Sequence, residues 1–128
     1  SKGIDAVVGI ESRGFIYGLQ LAQQLKVPFI PVRKAGKLPY RTVSHAYDLE
    51  YGSAEIEMHE DAIKPGNQVL IHDDLLATGG TAEAAGELIT KMDGVVKGFS
   101  FLIELTFLNG RAKLNKRIPI EIQSLVSF

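Results

Sequence analysis

One stretch decides both the fold and the search for a function: residues 69–81, which read Val-Leu-Ile-His-Asp-Asp-Leu-Leu-Ala-Thr-Gly-Gly-Thr. An apolar run ends in two carboxylates, and a glycine-rich turn then leads into a predicted helix. Gly79 and Gly80 lack the Cβ that would block an approaching oxyanion, and Thr78 and Thr81 add hydroxyl donors. The helix that begins near Thr81 adds the positive end of its dipole. The turn therefore predicts a phosphate site.

Two better-known phosphate loops do not fit this turn. No lysine follows the glycines as a Walker A loop requires, and the G-x-G-x-x-G spacing of dinucleotide-binding domains is missing. What distinguishes the stretch is the pair Asp73 and Asp74, where vicinal ribose hydroxyls would lie close to a phosphate on the same sugar. The pattern favours a ribose 5-phosphate site over the alternative of an ordinary strand, turn and capped helix.

The composition predicts one soluble globular domain. The chain has 128 residues, of which 45% are hydrophobic and 23% charged. Its formal net charge of -1 provides no basic field, so nucleic acid is not an expected partner. No apolar run approaches the roughly 20 residues of a membrane-spanning helix, and no signal-peptide core precedes the first strand. We therefore expect no membrane association and a cytoplasmic location. The absence of cysteine excludes disulfides and thiol catalysis.

Apolar runs alternate with helical patterns in α/β order. The predicted strands cover residues 5–10, 28–32, 68–72, 95–103 and 120–126, and the predicted helices cover 14–25 and 81–92, with another helix starting near 108–111. Short, continuous apolar runs are typical of strands covered on both faces, which favours a mainly parallel twisted sheet flanked by helices. Ligands of such sheets bind beyond the carboxyl ends of the strands. His72, at the predicted end of the central strand, is expected to face a polar neighbour.

Residues 34–60 interrupt this alternation with charged, glycine-containing and aromatic sequence. Two alternating segments, about 41–47 and 49–58, predict a hairpin that projects from the domain. A long excursion of this kind in a compact domain is usually functional or disordered. We predict a single domain over residues 1–128 that carries a flexible lid over about 34–60.

Two loops that follow predicted strands carry cations. Their candidate residues are Glu11, Ser12 and Arg13 in the first loop, and Arg33, Lys34 and Lys37 in the second. Cations at the ends of parallel strands suit an anionic ligand. Taken alone, the first loop is equally consistent with a helix cap, and the second with a solvated basic loop.

The stretch 69–81 resembles the signature with which type I phosphoribosyltransferases bind 5-phosphoribosyl 1-pyrophosphate (PRPP). In that family the two acidic residues, here Asp73 and Asp74, bind the ribose 2′ and 3′ hydroxyls. The loop that binds the 5′-phosphate corresponds to Ala77, Thr78, Gly79, Gly80 and Thr81. The resemblance implies the type I phosphoribosyltransferase fold, in which a mainly parallel sheet is flanked by helices and a hairpin forms a lid.

The remaining motifs resemble the adenine phosphoribosyltransferases, and the resemblance covers residues 5–128. It implies that both cationic loops bind pyrophosphate, the leaving group, and that the bond between Glu11 and Ser12 is cis. Residues 47–52, Tyr-Asp-Leu-Glu-Tyr-Gly, resemble the flexible catalytic loop of that family. There Glu50 would handle a purine proton at N7, and Tyr51 would help to close the loop.

The resemblance implies purine salvage, in which PRPP and adenine react to give AMP and pyrophosphate. We expect Mg²⁺ to arrive with PRPP rather than at a dedicated protein site, because it is held through substrate phosphates and one or two carboxylates. A homodimer to which Phe15 and Ile16 contribute is also implied. Two alternatives stay open: a regulatory module that senses PRPP without catalysis, and a phosphoribosyltransferase for hypoxanthine or xanthine. Family members also carry an N-terminal hood over adenine that has no counterpart in this sequence, so we expect an incomplete base pocket.

Overall fold

The computed structural model describes residues 3–36, 38, 41–49 and 52–128. Its elements, in chain order, are β1 (Ala6–Ile10), α1 (Gly14–Leu25), β2 (Phe29–Lys34), β3 (Thr42–Leu49), β4 (Gly52–His59), β5 (Gln68–Leu76), α2 (Gly80–Lys91), β6 (Val95–Glu104), α3 (Gly110–Arg117) and β7 (Glu121–Ser127). A 3₁₀ turn at Thr106–Leu108 precedes α3. None of the helices in these residues is long and apolar enough to cross a lipid bilayer.

The strands form one sheet in the order β3-β4-β2-β1-β5-β6-β7. Five adjacent strands of this sheet are parallel to one another: β2, β1, β5, β6 and β7. The β3–β4 pair is antiparallel, and β4 joins the sheet antiparallel to β2. The prediction of a mainly parallel sheet is confirmed. From β1 the chain continues to one side through β2 and to the other through β5, so the strand order reverses between β1 and β5, where ligands of such sheets bind.

The core fills both faces of the central strands. All residues of β1 are buried, as expected for a strand covered on both sides. Helix α2 buries Ala85, Leu88 and Ile89, with the i, i+3, i+4 spacing seen in the sequence. Gly86 of the same helix lies against Ile118, and a Cβ there would collide with that side chain. Close packing against a neighbour therefore accounts for a glycine in the middle of a helix.

Two predicted strand ends are wrong. β5 continues to Leu76 rather than ending at His72, so Asp73 and Asp74 lie within the strand and not after it. β2 likewise continues through Lys34. The reason is pairing: β5 is paired with β6 as far as its last residue, and β2 continues beside β4. These ladder hydrogen bonds outweigh the low strand propensity of aspartate and lysine.

The hairpin predicted within residues 34–60 exists as β3 and β4, but it extends the sheet rather than projecting freely. β3 also lies against α2, where Nζ of Lys91 donates a hydrogen bond to the carbonyl oxygen of Ser44 at 2.8 Å. Movement of the hairpin as a lid stays a prediction. Three predicted site residues, Lys37, Glu50 and Tyr51, lie outside the described residues.

Candidate active site

A cleft of about 450 Å³ opens at the carboxyl ends of β1 and β5. It lies where the strand order reverses, and its lining comes from six separate stretches of the chain. The lining residues that the sequence predicted are Glu11, Ser12, Arg13, Lys34, Asp73, Asp74, Ala77, Thr78, Gly79, Gly80 and Thr81. The structure therefore brings both cationic loops, the acidic pair and the glycine-rich turn to one place.

Arg33 does not line the cleft. Its guanidinium lies over the ring of Phe15, 5.9 Å from the ring centroid, and its Nε is 3.4 Å from Oε1 of Glu11. The peptide bond between Glu11 and Ser12 is cis, as the resemblance implied. Arg33 thus lies behind the first cationic loop and contacts its carboxylate, while Lys34 lines the cleft itself.

The turn between β5 and α2 is held on two sides. Gly79 has a φ of 90°, a left-handed conformation that favours glycine, and α2 begins directly after it. The positive end of the α2 dipole therefore lies at the turn. Gly110 of α3 packs against the carbonyl group of Ala77, leaving no room for a Cβ. On the other side, Oη of Tyr47 lies 3.3 Å from Oγ1 of Thr81 and connects β3 to the turn.

The acidic pair is closely packed. Oδ1 of Asp73 accepts a hydrogen bond from the backbone N–H of Asp74 at 2.8 Å. Gly14 makes room for this carboxylate, because a Cβ there would lie 3.2 Å from the same oxygen. Burial, with hydrogen bonding to and repulsion from Asp74, raises the pKa of the Asp73 carboxyl to about 8. At neutral pH the Asp73 carboxyl is therefore mostly protonated.

Arg13 connects the first cationic loop to the acidic pair. Its Nε lies 2.9 Å from Oδ2 of Asp74. The Arg13 side chain is 75% exposed and that of Asp74 is 21% exposed, so solvent screens the ion pair. An ion pair of this kind contributes about 1 kcal/mol or less, and a charged ligand can displace it.

His72 precedes the acidic pair and is completely buried. Its Nδ1 lies 3.3 Å from Oγ of Ser100, which confirms the predicted polar neighbour, and its ring lies 5.3 Å from that of Tyr17. Nε2 has no hydrogen-bond partner among the described residues. Burial lowers the pKa of His72 below its usual value of 6.5. The imidazole is therefore neutral at pH 7 and contributes no charge to the cleft.

Sequence reasoning missed Glu57, because the alternation along β4 predicts that this residue faces solvent. Its carboxylate is instead buried, and it accepts the backbone N–H groups of Gly36 at 2.9 Å and Leu38 at 2.8 Å. Oε1 of Glu11 also accepts a backbone hydrogen bond, from the N–H of Lys34 at the end of β2, at 2.8 Å. No sequence signal shows these contacts, because they form only when the segment after β2 folds back over β4.

Comparison with known proteins identifies the family. Residues 1–104 match the phosphoribosyl transferase domain. The chain belongs to the phosphoribosyltransferase family. It is 60% identical, over 117 residues, to the adenine phosphoribosyltransferase of Flavobacterium johnsoniae, and the match covers 91% of this chain and 68% of that protein. Across such curated phosphoribosyltransferases, the chain spans 57–72% of the relative's length.

Solved phosphoribosyltransferase structures share this fold along nearly the whole chain. The crystal structure of adenine phosphoribosyltransferase from Rhodothermus marinus matches with a TM-score of 0.95 at 53% identity, covering 100% of this chain and 72% of that one. The Saccharomyces cerevisiae enzyme, complexed with D-2,5-dideoxy-2,5-imino-altritol 1,6-bisphosphate and adenine, matches with a TM-score of 0.88 at 48% identity, covering 95% and 67%. The predicted type I phosphoribosyltransferase fold is confirmed.

Proposed function

We propose that this chain is the phosphoribosyl-transfer core of an adenine phosphoribosyltransferase, which converts PRPP and adenine to AMP and pyrophosphate. One observation carries the proposal: the acidic pair Asp73 and Asp74 meets the glycine-rich turn and the first cationic loop in a single cleft. A ribose 5-phosphate fits this arrangement, with its hydroxyls at the carboxylates and its phosphate at the turn. The names of the matched relatives support adenine as the base.

The predicted ligand-binding residues divide into three groups in this proposal. Asp73 and Asp74 accept hydrogen bonds from the ribose 2′ and 3′ hydroxyls. The turn of residues 77–81 binds the 5′-phosphate through its backbone N–H groups and through the hydroxyls of Thr78 and Thr81. The pyrophosphate group binds the cationic side of the cleft, and its proposed ligands are Glu11, Ser12, Arg13, Arg33, Lys34 and Lys37. Of these, Arg13 and Lys34 are cations that line the cleft.

The chemistry that follows is mainly positioning and charge stabilisation. As the bond from ribose C1 to pyrophosphate breaks, negative charge grows on the departing oxygens, and Arg13 and Lys34 stabilise it. C1 becomes electron-poor and is attacked by N9 of adenine. Adenine reacts as the tautomer that carries its proton on N7, and Glu50 accepts this proton as N9 bonds to C1. Tyr51 helps to close the loop over the reacting atoms.

Mg²⁺ enters this proposal as part of the PRPP substrate. The described residues contain no group of three or more histidines and carboxylates arranged to hold a metal ion. Mg²⁺ prefers oxygen ligands and is often bound by one or two carboxylates together with substrate phosphates. The carboxylate of Asp74 fits that requirement, and a bound cation would favour the charged form of the Asp73 carboxyl beside it. The ion would also neutralise charge on the pyrophosphate group.

We further propose that residues 1–128 act as one domain with a mobile lid at about 34–60, within a cytoplasmic homodimer. Helix α1 supports the dimer, because Ile16 and Leu19 are 70% and 53% exposed on its surface. A second copy that covered these side chains would remove apolar surface from water.

The test combines a pyrophosphate-release assay, with PRPP and adenine, hypoxanthine or xanthine, with calorimetric titration of PRPP. We expect turnover with adenine and a loss of PRPP affinity of at least tenfold in the double variant Asp73→Ala, Asp74→Ala. Asp61→Ala is the matched control, because Asp61 is exposed and lies outside the cleft. PRPP binding without turnover would favour either the sensor or an enzyme whose base pocket is incomplete. Turnover with another base would correct the substrate. Unchanged PRPP affinity in the double variant would refute the proposed site.

A further inference from the structure

We infer that Glu57 is a positioning residue for pyrophosphate: its buried carboxylate fixes the backbone of Gly36 and Leu38 just after β2, so that the neighbouring Lys34 side chain is presented to the ligand in advance. This inference rests on the proposed function and names a residue that supports one half of the same site. Glu57 does not line the cleft and is not expected to touch the substrate.

Glu57 holds the segment at two points. The N–H of Gly36 donates to Oε1 at 2.9 Å, and the N–H of Leu38 donates to Oε2 at 2.8 Å. The residue is only 5% exposed, so these charge-assisted hydrogen bonds form in a partly desolvated environment, where they are stronger than in water. Gly36 has a φ of 89°, which makes the turn between the two points possible.

The other end of the segment is also fixed by protein oxygens. The N–H of Lys34 donates to Oε1 of Glu11 at 2.8 Å, and the N–H of Ala35 donates to the carbonyl oxygen of Glu55 at 2.9 Å. Four backbone N–H groups, those of residues 34, 35, 36 and 38, are therefore already bonded. These four amides are not available to an anion, so the contact proposed for the described residues is made by the Lys34 side chain. The carboxylates of Glu11 and Glu57 set the position of the backbone that carries it.

The position of Glu57 predicts which ligand depends on it. Glu57 lies opposite Arg33 in the pairing of β2 with β4, on the cationic side of the site. The phosphate turn is held instead by Tyr47 and by Gly110, neither of which contacts Glu57 in the hydrogen bonds and packing described above. Loss of the Glu57 carboxylate should therefore weaken the binding of pyrophosphate and leave the binding of ribose 5-phosphate unchanged.

The experiment compares Glu57→Gln with Glu55→Gln. The amide keeps the shape of the side chain but directs an NH₂ group at one of the two backbone N–H donors, so one hydrogen bond is lost. Glu55 is a matched control: it lies two residues earlier in the same strand, is exposed, and accepts a hydrogen bond from Oγ of Ser44 at 2.6 Å. Dissociation constants for pyrophosphate and for ribose 5-phosphate are measured by calorimetry in Mg²⁺ buffer, with a thermal melt for each variant.

We expect Glu57→Gln to raise the dissociation constant of pyrophosphate about tenfold, as the loss of one buried charged hydrogen bond implies. The value for ribose 5-phosphate should stay within about twofold, and Glu55→Gln should change neither ligand. Equal weakening of both ligands, or a lower melting temperature with both affinities unchanged, would overturn the inference. If the unaltered chain binds neither ligand, the proposed function fails. This result is obtained without any variant, so it is distinguishable from failure of the inference about Glu57.

A second variant covers the case in which Glu57→Gln does not fold. Gly36→Ala leaves the Glu57 carboxylate in place, and the added Cβ has no neighbouring atom within 4 Å. The substitution does strain the backbone, because Gly36 has a left-handed conformation. We expect pyrophosphate binding to weaken about fivefold, which corresponds to roughly 1 kcal/mol of strain, again without an effect on ribose 5-phosphate. Unchanged pyrophosphate binding in this variant would contradict the idea that the segment must hold one conformation.

Discussion

Replacing Gly110 with alanine should damage the phosphate turn from outside the cleft. Gly110 is the first residue of α3, and a Cβ there would lie 3.0 Å from the carbonyl carbon of Ala77 and 3.1 Å from Cδ1 of Leu76, with the carbonyl oxygen of Ala77 closer still. Ordinary van der Waals contact begins at 3.4 Å, and the added Cβ would lie 3.0 Å from the carbonyl carbon of Ala77. The backbones at Gly110 and Ala77 must therefore separate by at least 0.4 Å. Ala77 opens the turn, so its displacement moves the groups proposed to bind the 5′-phosphate.

The size of the effect follows from this overlap. Overpacking against backbone costs about 1–3 kcal/mol, and helix propensity offsets little because Gly110 lies in the first position of the helix. Unfolding entropy of about 2.1 cal/mol/K per residue means that each kcal/mol lowers the melting temperature of a chain of this length by about 4 °C. We therefore expect a decrease of about 4–11 °C. Since a 1 Å misplacement costs about 100-fold, a displacement of at least 0.4 Å should weaken ribose 5-phosphate binding by at least about sixfold.

The assay is a thermal melt together with calorimetric titration of ribose 5-phosphate. Gly98→Ala is the control, because a Cβ at Gly98 would meet its neighbours at ordinary distances of 3.4 and 3.6 Å. Gly98 lies in β6, away from the turn. If Gly110→Ala melts and binds as Gly98→Ala does, Gly110 does not support the turn. If only its melting temperature falls, the mechanical connection between α3 and the phosphate site is refuted.

Three further predictions concern titratable groups, each measured by unfolding at several pH values. The pKa of the Asp73 carboxyl is raised to about 8, so the folded state keeps a proton that the unfolded chain loses near pH 4. Stability should therefore fall as pH rises from about 4 to 8, and Asp73→Asn should flatten that slope. Burial lowers the pKa of His72 in the folded state, so the unfolded chain binds the imidazole proton more tightly than the folded chain does. The free energy of unfolding should therefore decrease as pH falls below about 6.5. His72→Leu should lose less stability than the parent between about pH 7 and 5, and equal slopes would contradict this. Hydrogen bonds from Arg111 hold the pKa of Glu104 below its usual value, with Nη2 2.7 Å from Oε1. This stabilisation is fully present above the pKa of Glu104 in the unfolded chain, and it is lost as pH falls through the lowered pKa of the folded state. Glu104→Gln should therefore lower the free energy of unfolding by about 1–2 kcal/mol at neutral pH and by progressively less in acid. An equal cost at every pH would contradict this prediction.

The parts of the site that are contiguous in sequence can be predicted from it. The turn at residues 77–81 requires glycines and hydroxyls at adjacent positions, so its chemistry is visible without a structure. The same holds for the order of strands and helices, because burial on both faces of a parallel sheet imposes continuous apolar runs. The limits of α1, Gly14–Leu25, are as predicted, since the first glycine and the apolar stripe that follows mark the helix.

The parts that depend on contacts between distant segments cannot be predicted in this way. The strands β2 and β5 extend further than their sequences indicate, because their neighbours offer hydrogen bonds that propensity does not include. Glu57 follows an alternating pattern that predicts a solvated side chain, and only the return of the segment 34–38 over β4 buries it. The contacts of the Arg33 guanidinium with Phe15 and Glu11 likewise have no signal in the sequence, and Arg33 as a pyrophosphate ligand stays a prediction.

In the proposed site, the ion pair between Arg13 and Asp74 would favour ligands that carry two kinds of group. A diphosphate that binds the Arg13 guanidinium would leave the Asp74 carboxylate without its ion-pair partner. A diol that binds the Asp74 carboxylate would leave the Arg13 guanidinium without its own. A sugar that bears both a diol and a diphosphate compensates both partners in one event. The exposed pair contributes about 1 kcal/mol or less, so fragments of the substrate would be disfavoured by at most roughly fivefold relative to the intact molecule.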